Sequence, residues 1–129
     1  MTFDELKIRK ALRKAWSLET AVQWTSGNPA SWQCNVTAAV IHDLFDGDIL
    51  RTRIGGVWHY YNRMDGIRYD LTDSQFAAPG ARVEALTPYE DELFSTSDAM
   101  RGIPLREYDC LKQALLSELA RRATDCVHS

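Results

Sequence analysis

The stretch Ile49-Leu50-Arg51-Thr52-Arg53-Ile54-Gly55-Gly56-Val57-Trp58-His59-Tyr60-Tyr61-Asn62-Arg63-Met64-Asp65-Gly66-Ile67-Arg68-Tyr69-Asp70-Leu71 decides the fold class. β-branched and aromatic residues fill three short runs, 49–54, 57–62 and 67–71. Gly55-Gly56 and Met64-Asp65-Gly66 separate them as tight turns, so the runs read as a meander of antiparallel strands. Residues 82–86, after Pro79-Gly80, read as a fourth strand. The aromatic load of Trp58, Tyr60 and Tyr61 reads as core.

On both sides of the meander the apolar period is helical. Upstream, Val36, Ala39, Val40 and Leu44 recur at helical spacing, and Asp46-Gly47-Asp48 closes that helix with Gly47 at a left-handed position. Nearer the start, Phe3, Leu6, Ile8, Ala11, Leu12 and Ala15 offer a buried stripe. Thr2 and Glu5 read there as a capping box, and Lys7, Arg9, Lys10, Arg13 and Lys14 as a solvated face. Ser17 reads as the cap of a short helix over 17–24, followed by a loop, Thr25-Ser26-Gly27-Asn28-Pro29. Downstream, a short helix is expected around 97–101. A longer one over 105–123 carries the stripe Tyr108, Leu111, Leu115 and Leu119. The expected architecture is a single α+β domain over 1–129, with helices packed on one face of a small antiparallel sheet.

Composition narrows the function classes. The chain has 129 residues, 45% of them hydrophobic and 26% charged, which suits one ordinary globular core. A net charge of -3 gives no basic footprint for nucleic acid. No apolar run approaches the roughly 20 residues that span a bilayer. Asp4, Glu5, Lys7, Arg9 and Lys10 interrupt any signal-peptide core, so the expected location is cytoplasmic and no membrane partner is expected. Cys34, Cys110 and Cys126 are odd in number and lack a Cys-x-x-Cys unit, which argues against a disulfide framework or a zinc ribbon. The cluster Glu90-Asp91-Glu92 has no neighbouring histidine and reads as a solvated loop rather than a metal site. No metal or cofactor is expected, and the oligomeric state is left open.

Cys34 opens the central helix, where unpaired N–H groups and the helix dipole favour a thiolate. Its bland alternative is a small buried hydrophobe. Cysteine catalysis also needs a base and a group that orients the base. His59 and Asp70 lie on adjacent strands, and the turn decides whether they meet. A two-residue turn at Asp65-Gly66 pairs Met64 with Ile67, making His59 and Asp70 diagonal neighbours about 7 to 8 Å apart at Cα. A three-residue turn without a bulge sends Asp70 to the other face. His42 is about 12 Å along the helix from Cys34 and cannot serve as its base, and His128 lies in the tail. Asn62 is a rival orienter, placed on the face opposite His59.

For an oxyanion, the Cys34 N–H is one donor, and Gln33, Gln23 or Asn28 could supply a second. The alternative for Gln33 is a helix-cap or loop hydrogen bond. Trp24 and Trp32 bracket the loop that enters the helix, as walls of a substrate cleft or as core; Tyr61 and Asn62 complete the expected cleft.

Several short motifs occur in one order: Ala15-Trp16-Ser17 with Glu19-Thr20, Asn28-Pro29, Gln33-Cys34 with Thr37-Ala38, Gly47 with Ile49-Leu50, His59-Tyr60-Tyr61-Asn62, and Tyr69-Asp70-Leu71-Thr72 with Gln75-Phe76. Over about residues 10 to 80 the chain resembles the YunG-like family of small bacterial proteins, a label that brings no activity with it. It departs from that pattern at Trp32, where a glycine is usual and where the indole would narrow access to Cys34. It departs again at Asp46-Gly47, where Gly-Gly is usual.

The order of helix-borne Cys, strand-borne His and next-strand Asp also resembles the papain-like, transglutaminase-like layout. That resemblance implies a cysteine-dependent acyl-transfer enzyme acting on a small peptide, amide, thioester or protein substrate through Cys34, His59, Asp70 and Gln33. The alternatives are a binding module with a silent site and, more remotely, zinc held by Cys34, His59 and Asp70.

Overall fold

A computed structural model describes residues 2–17, 19–21, 23–28, 30, 33–76 and 88–128, with side chains to residue 122. Several expectations lie outside the described residues: the strand at 82–86, Leu18 and Val22 of the short helix, the cleft position Trp32, and the side chains of Cys126 and His128.

Helix α1 spans Glu5–Ala15 and buries Ile8, Ala11, Leu12 and Ala15. Its cap is Asp4, whose carboxylate accepts from the Lys7 N–H at 3.2 Å, and not the expected Thr2. Glu5 is drawn away from any capping box by a 2.9 Å ion pair with Arg9. Leu6 lies off the buried stripe and is exposed. Among the described residues, 17–24 form turns rather than a helix: Ser17 O accepts from Thr20 and Ala21, and Ser17 Oγ from Glu19.

Helix α2 spans Cys34–Phe45 and buries Val36 through Ile41 without interruption. Its exit passes through two left-handed residues, Asp46 (φ 63) and Gly47 (φ 87). Glycine is required at 47, since a Cβ there would meet the Arg63 carbonyl oxygen at 2.4 Å. His42 braces the same corner, through Nδ1 to Gly47 O at 2.9 Å and Nε2 to Thr96 Oγ1 at 3.2 Å.

The meander forms as β1 (Asp48–Ile54), β2 (Val57–Met64) and β3 (Ile67–Tyr69). Both turns use left-handed residue pairs, Gly55-Gly56 and Asp65-Gly66, which match the twist of the strands they join. The second is a two-residue turn that pairs Met64 with Ile67 and Asn62 with Tyr69. The third strand stops at Tyr69, two residues short of expectation. The fourth strand is β4 (Glu92–Phe94), which pairs antiparallel with β1 and gives the order β3-β2-β1-β4.

Part of the acidic cluster is therefore a sheet edge. Two of its three charges are matched: Glu92 pairs with Arg51 at 2.7 Å and Asp91 with Arg68 at 2.8 Å. Helix α3 covers Thr96–Arg101, capped by Ser95, and α4 covers Leu105–His128.

The result is an α+β fold with helices packed against a four-stranded antiparallel sheet. The register sorts the sheet into two faces. Ile49, Asn62 and Met64 share one, where Met64 joins a core built from Ile8, Leu12, Val36, Val40, Leu111 and Leu115. Leu50, Thr52, His59 and Tyr61 share the other, covered in part by residues 88–91. Among the described residues, no helix is long and apolar enough to cross a membrane.

Candidate active site

Cys34 is the first residue of α2, a half-buried free thiol. Two buried hydrogen bonds fix the helix that carries it. Trp16 Nε1, at the end of α1, donates to Thr37 Oγ1 at 3.0 Å. From β2, Asn62 Nδ2 donates to Ala38 O at 3.0 Å. Asn62 is thus a buried strut between strand and helix, and neither a cleft residue nor the orienter of His59.

The two-residue turn satisfies the register condition on His59 and Asp70. Their side chains meet, with Nε2 to Oδ2 at 2.7 Å, and both are more than nine-tenths buried. Burial alone would lower the His59 pKa. Its hydrogen bonds to Asp70 and Cys34, and the charges of both partners, outweigh burial and raise it to about 9. The imidazole is therefore protonated at neutral pH.

Asp70 is held from all sides. Oδ1 accepts from the Thr72 N–H and hydroxyl, each at 3.3 Å, and Oδ2 accepts from Tyr89 Oη at 2.5 Å as well as from His59. Gln75 secures Thr72 through its carbonyl and hydroxyl, while Arg9 of α1 donates to Asp70 O at 3.0 Å and pairs with Asp73. One member of the expected basic face is thereby turned inward.

Tyr89 was not legible as a site residue. Its ring lies edge-on to His59, centroids 5.7 Å apart, and 4.9 Å from Tyr61. Its neighbours are fastened too: the Glu90 N–H donates to Thr52 Oγ1, and the Asp91 N–H to Tyr61 Oη. The sequence signal that could have found it is the Pro88-Tyr89 step just before the acidic cluster, too short to stand out.

Gln33 is fully buried and makes no cap bond. Its Oε1 accepts from Thr20 Oγ1 at 2.8 Å, which leaves Nε2 a buried donor with no hydrogen-bond partner among the described residues. Such an orphan costs about 1 to 3 kcal/mol, so its retention calls for a reason.

Tyr61 is also buried, with its hydroxyl on Asp91 at 2.7 Å; burial and that carboxylate push its pKa upward. It is a support and not a cleft wall. Trp24 packs against the core with its indole N–H buried and unbonded.

The groove at Cys34 has a volume of about 330 Å³ and is walled by Gln23, Asn35, Trp58, Tyr60 and Glu107. Trp58 and Tyr60, expected to be core, are half-buried and face this groove. Among the described residues, no cluster of three metal-ligating side chains is placed to hold an ion. The direct 2.7 Å contact of His59 with Asp70 leaves no room for zinc between them.

A family model described as YunG protein matches residues 4–120. The chain belongs to the YunG family. Uncharacterized protein YunG of Bacillus subtilis (strain 168) is 43% identical over 72 residues, 56% of this chain. The match spans 63% of that relative's own length, a little under two thirds. No solved structure matches the chain.

Within the family motifs, the geometry explains the residue types physically. Trp16 bonds Thr37, Thr20 bonds Gln33, and Asn62 bonds Ala38. Asn28 Nδ2 bonds Gln75 O at 3.0 Å, and Gly47 lies against β2.

Proposed function

We propose that this protein is a cysteine-dependent acyl-transfer enzyme acting on an amide or thioester, with Cys34 as nucleophile, His59 as acid and base, and Asp70 as the group that orients His59. The observation that carries the reading is the buried His59 to Asp70 bond beside the thiol that opens α2. The order of helix-borne Cys, strand-borne His and following Asp resembles that of papain-like and transglutaminase-like enzymes, which supports the reading, and a reducing cytoplasm would keep the thiol available.

Because Nε2 is engaged by Asp70, Nδ1 is the ring nitrogen left to exchange a proton during the reaction. The imidazole is already protonated at neutral pH, so the thiol proton leaves to solvent and the thiolate stands beside the imidazolium. The sulfur attacks the carbonyl carbon, and the carbonyl π electrons move onto oxygen. The N–H of Cys34 and the unpartnered Gln33 Nε2 are the donors offered to that oxyanion. When the tetrahedral species collapses, the bond to the leaving group breaks and the His59 imidazolium gives its proton to it, leaving a thioester on Cys34 and a neutral imidazole. Water or an amine, deprotonated by His59, then attacks the thioester and restores the thiolate.

The test is alkylation by iodoacetamide at neutral pH, followed peptide by peptide. Cys34 should react well ahead of Cys110, whose thiol is held protonated by burial and by Glu19, and ahead of Cys126. His59→Ala should slow the Cys34 reaction by about 100-fold or more. Equal rates at Cys34 and Cys110 would overturn the proposal and leave the His59 cluster as a structural feature of a binding module.

A further inference from the structure

Among the described residues, the groove at Cys34 carries one charged wall residue, and its side chain has no partner. Glu107, in the first turn of α4, lines the groove with Cys34, Trp58 and Tyr60. Among the described residues its carboxylate has no hydrogen-bond or ion-pair partner, whereas Asp43, Asp48, Asp91, Glu92 and Glu118 all hold a cation. No basic side chain lines the groove among the described residues, and Gln23 and Asn35 supply neutral amides around it. A carboxylate left unmatched beside two aromatic rings, in a concave site about 330 Å³ in volume, is the chemistry that receives an ammonium or guanidinium group.

Opposing fields come from Arg53 and from the protonated His59 beside Cys34. Arg53 stacks on Trp58 at 4.3 Å without an ion pair, but it stands outside the groove lining. Arg51, on the same indole, is neutralised by Glu92.

We infer that the substrate of the Cys34 site carries a cationic group, an amine or a guanidinium, which Glu107 pairs inside the groove. The inference rests on the acyl-transfer reading for its chemistry but not for its test. Three methanethiosulfonate reagents serve as probes, with an ammonium-ethyl, a sulfonato-ethyl and a neutral methyl tail. In each case the Cys34 sulfur attacks the sulfenyl sulfur, a disulfide forms and methanesulfinate leaves. Rates are read at the Cys34 peptide and divided by those of a small free thiol with the same reagent.

The cationic reagent should outrun the anionic one. Glu107→Gln should lower that ratio about fivefold, the scale expected for one partly exposed charge pair, and Glu107→Lys should lower it further. High salt should compress the wild-type ratio. A ratio unchanged in both variants, or a wild-type preference for the anionic reagent that Glu107→Gln leaves in place, would overturn the inference. The ratio does not depend on the absolute rate, so a sluggish neutral reagent would count against Cys34 as a nucleophile while the charge preference is judged separately.

Discussion

The two faces of the sheet are held by different forces. On the helix side, Ile8, Leu12, Val36, Val40, Leu111 and Leu115 are nearly or fully buried and carry no charge, so their contribution is apolar burial and close packing. On the other side, His59, Thr52, Tyr61 and Asp70 are just as buried but are joined by directed bonds among titratable groups. The first arrangement tolerates pH and loses stability in proportion to volume removed. The second fails when one atom or one proton changes. Placing the His59–Asp70 pair in the second kind of surrounding gives it fixed geometry at the cost of sensitivity.

The sharpest way to break the comparison is to delete one member on each side. Asp70→Ala leaves a buried imidazole without its partner and should cost about 3 to 5 kcal/mol, with slower Cys34 alkylation in the fraction that folds. Leu12→Ala should cost about 2 to 5 kcal/mol by denaturant unfolding yet leave the alkylation rate of the folded protein unchanged. A matching loss of Cys34 reactivity in Leu12→Ala would show that the two sides are not separable.

A second test changes only pH. The folded pKa of His59 is about 9, above the ordinary 6.5, so its bond with Asp70 contributes fully below pH 6.5 and is lost as pH rises through 9. Unfolding free energy should fall by about 3 kcal/mol across that window. His59→Gln should flatten the slope, and Leu12→Ala should keep it.

Smaller effects sharpen the picture. Tyr89→Phe removes one donor from Asp70 Oδ2 and should cost about 1 to 3 kcal/mol. With that charge less shared, the His59 pKa should rise, as read by NMR titration of its imidazole. Smallest is Asp46→Gly, which relieves a non-glycine residue at φ 63 and ψ -157 and should stabilise by about 0.5 to 1 kcal/mol in thermal or urea unfolding. A loss of stability there would mean that the aspartate contributes something beyond the turn.

Much of the frame was legible because its signals are local. The apolar spacing of Val36, Ala39 and Val40 placed α2 with Cys34 at its start, and Met64-Asp65-Gly66 marked a turn whose two-residue form, one of two alternatives, is the one that pairs His59 with Asp70. The stripe Tyr108, Leu111 and Leu115 marked α4. Errors came where a long-range partner outweighed a local preference. Asp4 took the cap from Thr2, and Arg9 left the solvated face for Asp73. Glu92–Phe94, three residues in an acidic run, became a strand because β1 offered both a ladder and Arg51.

By itself, then, the sequence determined most of the alternation of helices and strands and where Cys34, His59 and Asp70 fall along it, since apolar period and turn residues act over a few residues, while the choice between two registers of the second hairpin was left to the structure. Only the tertiary structure decided that Tyr89 shares the Asp70 oxygen with His59, that Asn62 and Tyr61 are supports, that Gln33 keeps a free donor, and that Trp58, Tyr60 and Glu107 wall the groove. Those relations join residues 19 to 73 positions apart, and nothing in the local chain encodes which distant segment will satisfy a buried oxygen or leave a carboxylate unmatched.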